Sequence, residues 1–338
     1  GIDMFMVSEK WREFISSVRT HVNEGRIDIS RIDDAARRIL YVKIKYGIYE
    51  KPRPADRKWS NDKSFGSKDH REVAREAVRQ SLVLLKNSDN LLPLKKESRI
   101  LVAGKNADDC GLQCGGFTVA WQGVSDSLET SGRSMHILDG YASGQAGVQK
   151  GKIYGGTSIW KGIKQVSPNA ELSLDGSKAD STKHDVGIVV IGETPYAEGM
   201  GDIRLDDNTI VEMGSMIKGL MKVLAPYGRS LILNELHPED LRAIKNMTDQ
   251  GIPVVVVLLS GRPLIIEKEL GESSAFVAAW LPGSEGQGIA DVLFGDYDFE
   301  GKLSFTWQKH ASDNYHIGDQ PYQPLFPFGF GLNYRNKA

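Results

Sequence analysis

The sequence has little cysteine, little net charge and no long apolar run, and each absence excludes a class of protein. Two cysteines, Cys110 and Cys114, are too few for a disulfide framework. A formal net charge of −2 over 338 residues argues against a nucleic acid or another polyanion as partner. No apolar run reaches the roughly 20 residues of a membrane-spanning helix, so no membrane partner is predicted. The opening residues show no basic, apolar leader, so no signal peptide is predicted within the chain.

The two cysteines leave three interpretations open. They could form one bridge, or they could belong to a metal site. No histidine or further cysteine lies nearby to complete four ligands, so two ordinary thiols are the favoured interpretation and no metal is predicted. Hydrophobic content of 40% and charged content of 25% are typical of a globular protein.

The first part of the chain shows helical spacing. Apolar residues recur over 8–22, and again in a segment that follows Ser30 and ends at Gly47. Residues 48–63 are polar, rich in proline and without periodicity, which predicts a linker. The residues before this linker bury too little surface to fold as a domain. Apolar residues 1–7 suggest a strand already under way, and we expect the chain to be part of a longer or split polypeptide.

From about residue 81 apolar strands alternate with helices. The alternation predicts an α/β domain over 64–338, a six-stranded, mostly parallel sheet covered on both faces. The predicted strands are 82–85, 99–104, 186–191, 229–234, 253–259 and 275–280. After a further predicted helix over 69–80, the predicted helices are 209–226, 238–250 and 286–294.

One predicted strand ends in a carboxylate. The run DVGIVVIGE ends at Glu193, where the strand gives way to a loop. Ligands of α/β folds meet the chain at the carboxyl ends of strands, and a partly buried carboxyl group there can act as a general acid. The structural alternative is a strand-end glutamate in a surface salt bridge.

Several segments resemble blocks of glycoside hydrolase family 3, in the same order along the chain. They are GIDMFMV (1–7), SLVLLKNSDNLLPL (81–94), RILVAGKNADDCGLQCGGFTVAWQG (99–123), GETPY (192–196), LLSGRPL (258–264), AAWLPGSEGQGIADVLFGDYDFEGKLSFTW (278–307) and PLFPFGFGLNY (324–334). The resemblance is closest to the β-glucosidases and β-glucan exohydrolases of the family. It implies that residues 1–47 are the last strand-helix unit of a TIM-like barrel.

The resemblance also implies roles for single residues. GETPY matches the family's acid/base motif, so Glu193 is the expected acid/base. Glu198 and Asp202 follow as an alternative acid or as support for the loop. The family's nucleophile is an aspartate in an S-D-W motif, which this sequence does not contain, so the nucleophile is not expected in this chain.

Three further residues are expected to bind substrate. Phe117 stands where similar enzymes place a tryptophan that stacks on the leaving-group sugar. Trp121 is an alternative platform or a core residue. Met6 matches a substrate-contacting methionine, or it is a core residue of the strand. GSEGQG (283–288) lacks the spacing of a phosphate loop, and a tight turn between helix and sheet is favoured.

The resemblance therefore predicts a retaining, exo-acting hydrolase of β-linked glucose oligosaccharides that needs no cofactor. An N-terminal barrel polypeptide of the same enzyme would be its partner, and a periplasmic or secreted location is expected. The alternative is a non-catalytic sugar-binding or interaction module that acts alone. Linkage preference and oligomeric state, including a homo-oligomer, stay open.

Overall fold

A computed structural model of the chain describes residues 1–7, 10–127, 134–136, 143–145, 148–197, 230–316 and 318–335. The chain divides into two compact units, Gly1–Ser67 and Lys68–Ala338. The described α-helices are α1 (Trp11–Asn23), α2 (Ile29–Lys45), α3 (Lys68–Ser81), α4 (Cys110–Cys114), α5 (Ile159–Val166), α6 (Leu233–Leu236), α7 (Pro238–Thr248), α8 (Glu267–Glu272) and α9 (Gln287–Leu293). No helix among the described residues is long and apolar enough to cross a membrane.

The first unit contains the two helices α1 and α2. α2 begins at Ile29 because Asp28 caps it, and its carboxylate accepts a hydrogen bond from the Ser30 amide at 2.8 Å. Ser30 therefore lies inside the helix and not before it, contrary to the prediction. Lys43 and Lys45 lie in the last turn, where positive charge suits the helix dipole.

Residues 1–7 form no regular strand, although their apolar pattern predicts one. A strand needs hydrogen-bonded neighbours, and no described strand of the chain pairs with this segment. Arg31 ties the segment to α2, since it donates to the carbonyl of Ile2 at 2.8 Å and to the Asp3 carboxylate at 2.7 Å. Large apolar side chains of this unit are exposed, among them Met4, Phe5, Met6, Leu40 and Ile44.

The second unit is built on a six-stranded sheet. Its strands are β1 (Val83–Asn87), β2 (Ile100–Ala103), β7 (Glu171–Leu172), β8 (Val186–Gly192), β9 (Val254–Leu259) and β10 (Ala275–Trp280). Their order is β1-β10-β9-β8-β2-β7, and all neighbours are parallel except β1 and β10. Short two-stranded pairs join β3 (Val124–Ser125) to β6 (Gln149–Lys150) and β4 (Ser134–His136) to β5 (Ser143–Gln145).

Continuous apolar runs explain the central strands. Every residue of β8 and β9 is buried, as expected for parallel strands covered on both faces. Burying one such side chain fully contributes roughly 1.5–3 kcal/mol. One face packs against α3, α5 and α9 and the other against α7, through the side chains Val78, Ile163, Ile289 and Leu293 on the first face and Ile244 and Met247 on the second. The predicted α/β sandwich is confirmed.

One predicted strand is wrong. In the described part of 229–234 only Ile232 makes a β-bridge, with Ile265, and the chain then turns into α6 at Leu233. The apolar run faces a loop and not a neighbouring strand, so no ladder extends it. The helix predicted at 209–226 lies outside the described residues.

Candidate active site

Glu193 lies at the carboxyl end of β8, next to β9. Its amide donates to the carbonyl of Leu259 at 3.0 Å, so the ladder extends to the carboxylate itself. Gly192 precedes it because the strands approach closely here. A Cβ at Gly192 would lie 2.1 Å from the Leu259 carbonyl oxygen. Glu193 is only 8% exposed. The local backbone therefore fixes a nearly buried carboxylate where the parallel strands end at their carboxyl ends.

Arg262 is the charged partner of Glu193. Its Nε and Nη2 atoms both donate to Oε1 of Glu193, at 3.0 and 2.7 Å. Arg262 follows the carboxyl end of β9, as Glu193 follows the carboxyl end of β8. Glu193 therefore forms a salt bridge, as the structural alternative predicts. The bridge is not a surface one, because the Glu193 side chain is only 7% exposed.

Tyr196 contacts both members of this pair. Its hydroxyl donates to Oε2 of Glu193 at 3.2 Å, and the guanidinium carbon of Arg262 lies 4.9 Å from the centre of its ring. Burial, followed by the negative charge of Glu193, raises the pKa of Tyr196 to about 12. The hydroxyl therefore stays protonated at neutral pH and remains a hydrogen-bond donor.

Gln122 fastens the loop that follows Glu193. Its side-chain oxygen accepts from the amide of Ala197 at 2.7 Å, and its nitrogen donates to the Ala197 carbonyl at 3.3 Å. Gly116 packs against the same loop, where a Cβ would lie 2.3 Å from the carbonyl oxygen of Tyr196. The segment after α4 thus lies directly against residues 193–197.

Phe117 and Trp121 lie on that segment, in one tight turn. The amide of Phe117 donates to the carbonyl of Trp121 at 2.8 Å, and Phe117 adopts a positive φ of 53°. The Phe117 side chain is 68% exposed, whereas Trp121 is half-buried. A hydrogen-bonded turn therefore presents an open aromatic face beside the loop that carries Tyr196.

Of the remaining predicted site residues, Met6 alone lies among the described residues. Met6 belongs to the first unit and is 99% exposed there. Glu198 and Asp202 lie outside the described residues.

Cys110 and Cys114 are free thiols, as predicted. Burial raises the pKa of each to about 11, which leaves little reactive thiolate at neutral pH.

The GSEGQG segment is a packing turn, as predicted. The carboxylate of Glu285 is buried and accepts two hydrogen bonds from Arg71, at 2.8 and 3.0 Å. A Cβ at Gly286 would lie 2.5 Å from the backbone nitrogen of Ile159. Glycine is therefore required where α9 begins against α5.

A cavity of about 310 Å³ lies beside the carboxyl end of β2. Lys105 and Asp240 line it, joined by hydrogen bonds of 3.0 Å, and Asp240 also accepts from the Gly192 amide at 3.1 Å. Burial raises the pKa of Asp240. Through the Gly192 amide this pair supports the end of β8, and Glu193 is not among the described residues that line the cavity.

The geometry of the edge suits proton transfer. A nearly buried carboxylate is held by one fixed cation and one neutral hydroxyl, beside an exposed aromatic face. Sequence reasoning missed Arg262, although SGRP was among the matched segments. The position of Arg262 just after β9 was the available clue, because neighbouring parallel strands end at the same edge.

Comparisons with known proteins agree with this fold. Residues 82–334 match the glycosyl hydrolase family 3 C-terminal domain. The chain is 28% identical to the periplasmic beta-glucosidase of Salmonella typhimurium and 29% identical to the lysosomal beta glucosidase of Dictyostelium discoideum, with 99% of this chain aligned in each case. It spans only 44% and 38% of the length of these two relatives.

A solved structure shows the same likeness. The exo-1,3/1,4-beta-glucanase of a Pseudoalteromonas species is 40% identical, with a TM-score of 0.79 over 99% of this chain and 37% of that chain. The family match covers the six-stranded sheet together with the edge that carries Glu193, Tyr196 and Arg262. This chain therefore belongs to glycosyl hydrolase family 3 and contains its C-terminal domain.

Proposed function

We propose that this chain supplies the acid/base domain of a retaining, exo-acting β-glucosidase or β-glucan hydrolase. The observation that carries the proposal is the Glu193 carboxylate at the carboxyl end of β8, held by Arg262 and Tyr196. The similarity to a beta-glucosidase and to an exo-1,3/1,4-beta-glucanase supports a β-glucoside as substrate.

Retaining hydrolysis needs two carboxyl groups about 5–5.5 Å apart. Glu193 would donate its proton to the glycosidic oxygen while a second carboxylate attacks the anomeric carbon and the carbon–oxygen bond to the leaving group breaks. Glu193 would then take a proton from water, whose oxygen displaces the enzyme carboxylate. The sequence contains no S-D-W motif, so we assign the nucleophile to an N-terminal barrel polypeptide of the same enzyme.

The first unit supports this partner. Its exposed apolar side chains, Met4, Phe5, Leu40 and Ile44 among them, form more apolar surface than two helices can cover by themselves. We assign residues 1–47 to the end of the barrel, 48–63 to a linker and 64–338 to the sandwich domain. Met6 would contact substrate at the barrel mouth. The periplasmic relative supports a periplasmic or secreted enzyme.

Phe117 and Trp121 would bind the leaving-group sugar. Sugar rings stack on aromatic faces through their apolar C–H surfaces. The exposed ring of Phe117 offers such a face beside the Glu193 loop. The substrate class is therefore a β-linked glucose oligosaccharide, cleaved between the sugar at the nucleophile and the sugar on this turn.

Glu193→Gln in the complete enzyme tests the proposal. We expect kcat/KM on cellobiose to fall by about 10²–10⁴-fold, the usual contribution of a general acid. With dinitrophenyl β-glucoside the rate of the glycosylation step should fall far less, because the leaving group of this substrate needs no proton. Glu239→Gln is the matched control, since this carboxylate also lies on the loop side of the sheet and pairs with Lys105 at 2.9 Å.

Two results would contradict the proposal. Full activity of Glu193→Gln on cellobiose would move the acid role to Glu198 or another group. Binding of cellobiose by the complete enzyme with no turnover of any glucoside would favour the sugar-binding module.

A further inference from the structure

We infer that Arg262 and Tyr196 are positioning residues that give the two oxygens of Glu193 different tasks. Arg262 occupies Oε1, and Oε2 carries the proton that is transferred. The inference rests on the proposed acid/base role of Glu193 and adds to it the atom that acts and the residues that select it.

The hydrogen bonds on Oε1 leave no place for a proton. Oε1 accepts from both Nε and Nη2 of Arg262, at 3.0 and 2.7 Å. A carboxylate oxygen has two lone pairs, so these two donors fill it. A guanidinium cannot accept a hydrogen bond. A proton on Oε1 would therefore face two donors and no acceptor.

The surroundings of Oε2 are the opposite. Within the described structure it accepts one hydrogen bond, from the Tyr196 hydroxyl at 3.2 Å. One lone pair is left for a proton or for the glycosidic oxygen. A hydroxyl can donate to a carboxylate and accept from a carboxylic acid. Tyr196 can therefore contact Oε2 in both protonation states of Glu193.

The loop around Arg262 keeps this arrangement fixed. Ser260 is buried, and its amide donates to the carbonyl of Trp280 at 3.1 Å. The Ser260 hydroxyl accepts from the Arg262 amide at 3.3 Å and donates to the Arg262 carbonyl. The guanidinium also packs over the ring of Tyr196. The backbone of Arg262 is therefore anchored to the ends of β9 and β10, and the ring of Tyr196 supports its guanidinium beside Glu193.

The proton balance follows from this division. In the first step the Oε2–H bond breaks, the proton passes to the glycosidic oxygen, and the negative charge of the new carboxylate faces Arg262 through Oε1. In the second step a water proton returns to Oε2 while the water oxygen bonds to the anomeric carbon. Arg262 stabilises the ionised form throughout and exchanges no proton.

Substitutions in the complete enzyme test the division. For Arg262→Met we expect kcat/KM on cellobiose to fall by about 10–100-fold, part of the general-acid contribution. Dinitrophenyl β-glucoside should change by less than about 3-fold, because its departure needs no positioned proton. Tyr196→Phe should show the same dependence on the leaving group, with a smaller loss. A loss of folding alone would reduce both substrates equally.

The pH profile separates charge from geometry. Removal of a positive charge disfavours the ionised carboxylate, so the alkaline limb of kcat/KM should move up by about one pH unit in Arg262→Met. Arg262→Lys retains the charge and should keep the limb in place, while it recovers only part of the rate on cellobiose. The profile of the surviving active fraction can be read even where a variant is less stable.

Arg75→Met is the matched control. Arg75 also makes two hydrogen bonds to a buried carboxylate, that of Asp291, at 2.6 and 2.5 Å. This variant should lower the melting temperature and leave both the leaving-group dependence and the alkaline limb unchanged. Equal losses on both substrates in Arg262→Met, with an unmoved limb, would overturn the inference and make Arg262 a structural residue.

Glu193→Gln, measured in parallel, separates a failure of this inference from a failure of the proposed function. If the loss of kcat/KM depends on the leaving group in Glu193→Gln but not in Arg262→Met, the inference fails and the proposed function stands. If Glu193→Gln itself shows no such dependence, the proposed function fails first. In the double variant, Arg262→Met should add little further loss on cellobiose to that of Glu193→Gln.

Discussion

Two carboxylates of the sandwich domain are held almost alike, yet we assign chemistry to only one. Glu193 and Asp291 are both nearly buried, at 8% and 3% exposure. Both accept two hydrogen bonds from a single arginine, Arg262 and Arg75. In each cluster an arginine also packs over a tyrosine ring, at 4.9 Å for Glu193 and at 4.1 Å for Asp291.

The two carboxylates differ in their third hydrogen-bond donor and in their position in the fold. Asp291 takes its third hydrogen bond from Arg79, at 3.2 Å, so both its oxygens face guanidinium groups only. It joins α9 to α3 within the packed face of the sheet. Glu193 takes its third hydrogen bond from a hydroxyl, at a strand end. Burial and pairing therefore do not identify a catalytic carboxylate. Our assignment of Glu193 rests instead on its contact with a neutral hydroxyl, which tolerates a proton, and on its position at the carboxyl end of a strand.

The largest expected effect on stability lies at Asp291. Asp291→Ala leaves Arg75 and the buried Arg79 without their shared carboxylate, and breaking a buried pair in this way costs about 3 kcal/mol or more. Glu193→Gln keeps the size of the side chain and an oxygen that can still accept from Arg262, so we expect it to cost less, about 1–2 kcal/mol. Urea unfolding of the full chain measures both. Equal losses would erase the distinction between the two pairs.

A third carboxylate, Glu269, sharpens the comparison because its side chain has no hydrogen-bond partner among the described residues. It is completely buried, and burial, with the negative charge of Asp240, raises its pKa to about 7 from 4.5. The folded chain thus holds this proton more tightly than the unfolded chain. Stability is therefore retained below about pH 4.5 and lost as pH rises towards 7, by about 3 kcal/mol in total.

Glu269→Gln removes this titration. Relative to the unmodified chain, the variant should gain about 2–3 kcal/mol of unfolding free energy between pH 5 and pH 8. Unfolding curves at the two pH values provide the measurement, and the difference between the variant and the unmodified chain removes the contributions of groups that do not interact with Glu269. A constant difference at both pH values would show that Glu269 does not titrate in this range.

The smallest expected effect concerns the aromatic face beside Glu193. Phe117→Trp enlarges an exposed ring on the turn closed by Trp121 and should tighten a thio-linked disaccharide by about 0.5–1.5 kcal/mol. Glucose should bind the complete enzyme unchanged, because it does not fill the leaving-group position. Inhibition constants for both ligands decide the matter, and equal shifts would place Phe117 outside that position.

The strand that presents Glu193 could be predicted from the sequence, but its partner Arg262 was not predicted. A parallel strand buried on both faces is a continuous apolar run, which made β8 and β9 recognisable. Arg262 lies 69 residues from Glu193, and their contact depends on the pairing of β8 with β9. An apolar run alone also misled at 229–234, where no neighbouring strand is available to Ile232 beyond a single bridge among the described residues.

The central claim is that the Glu193 side chain carries the proton. Glu193→Ala in the complete enzyme, assayed on dinitrophenyl β-glucoside with added azide, tests it most directly. Deglycosylation then lacks its base, and azide needs none, so turnover should rise with azide concentration and yield β-glucosyl azide with retained configuration. Turnover that ignores azide, or α-glucosyl azide as the product, would contradict the assignment of Glu193 as the acid/base.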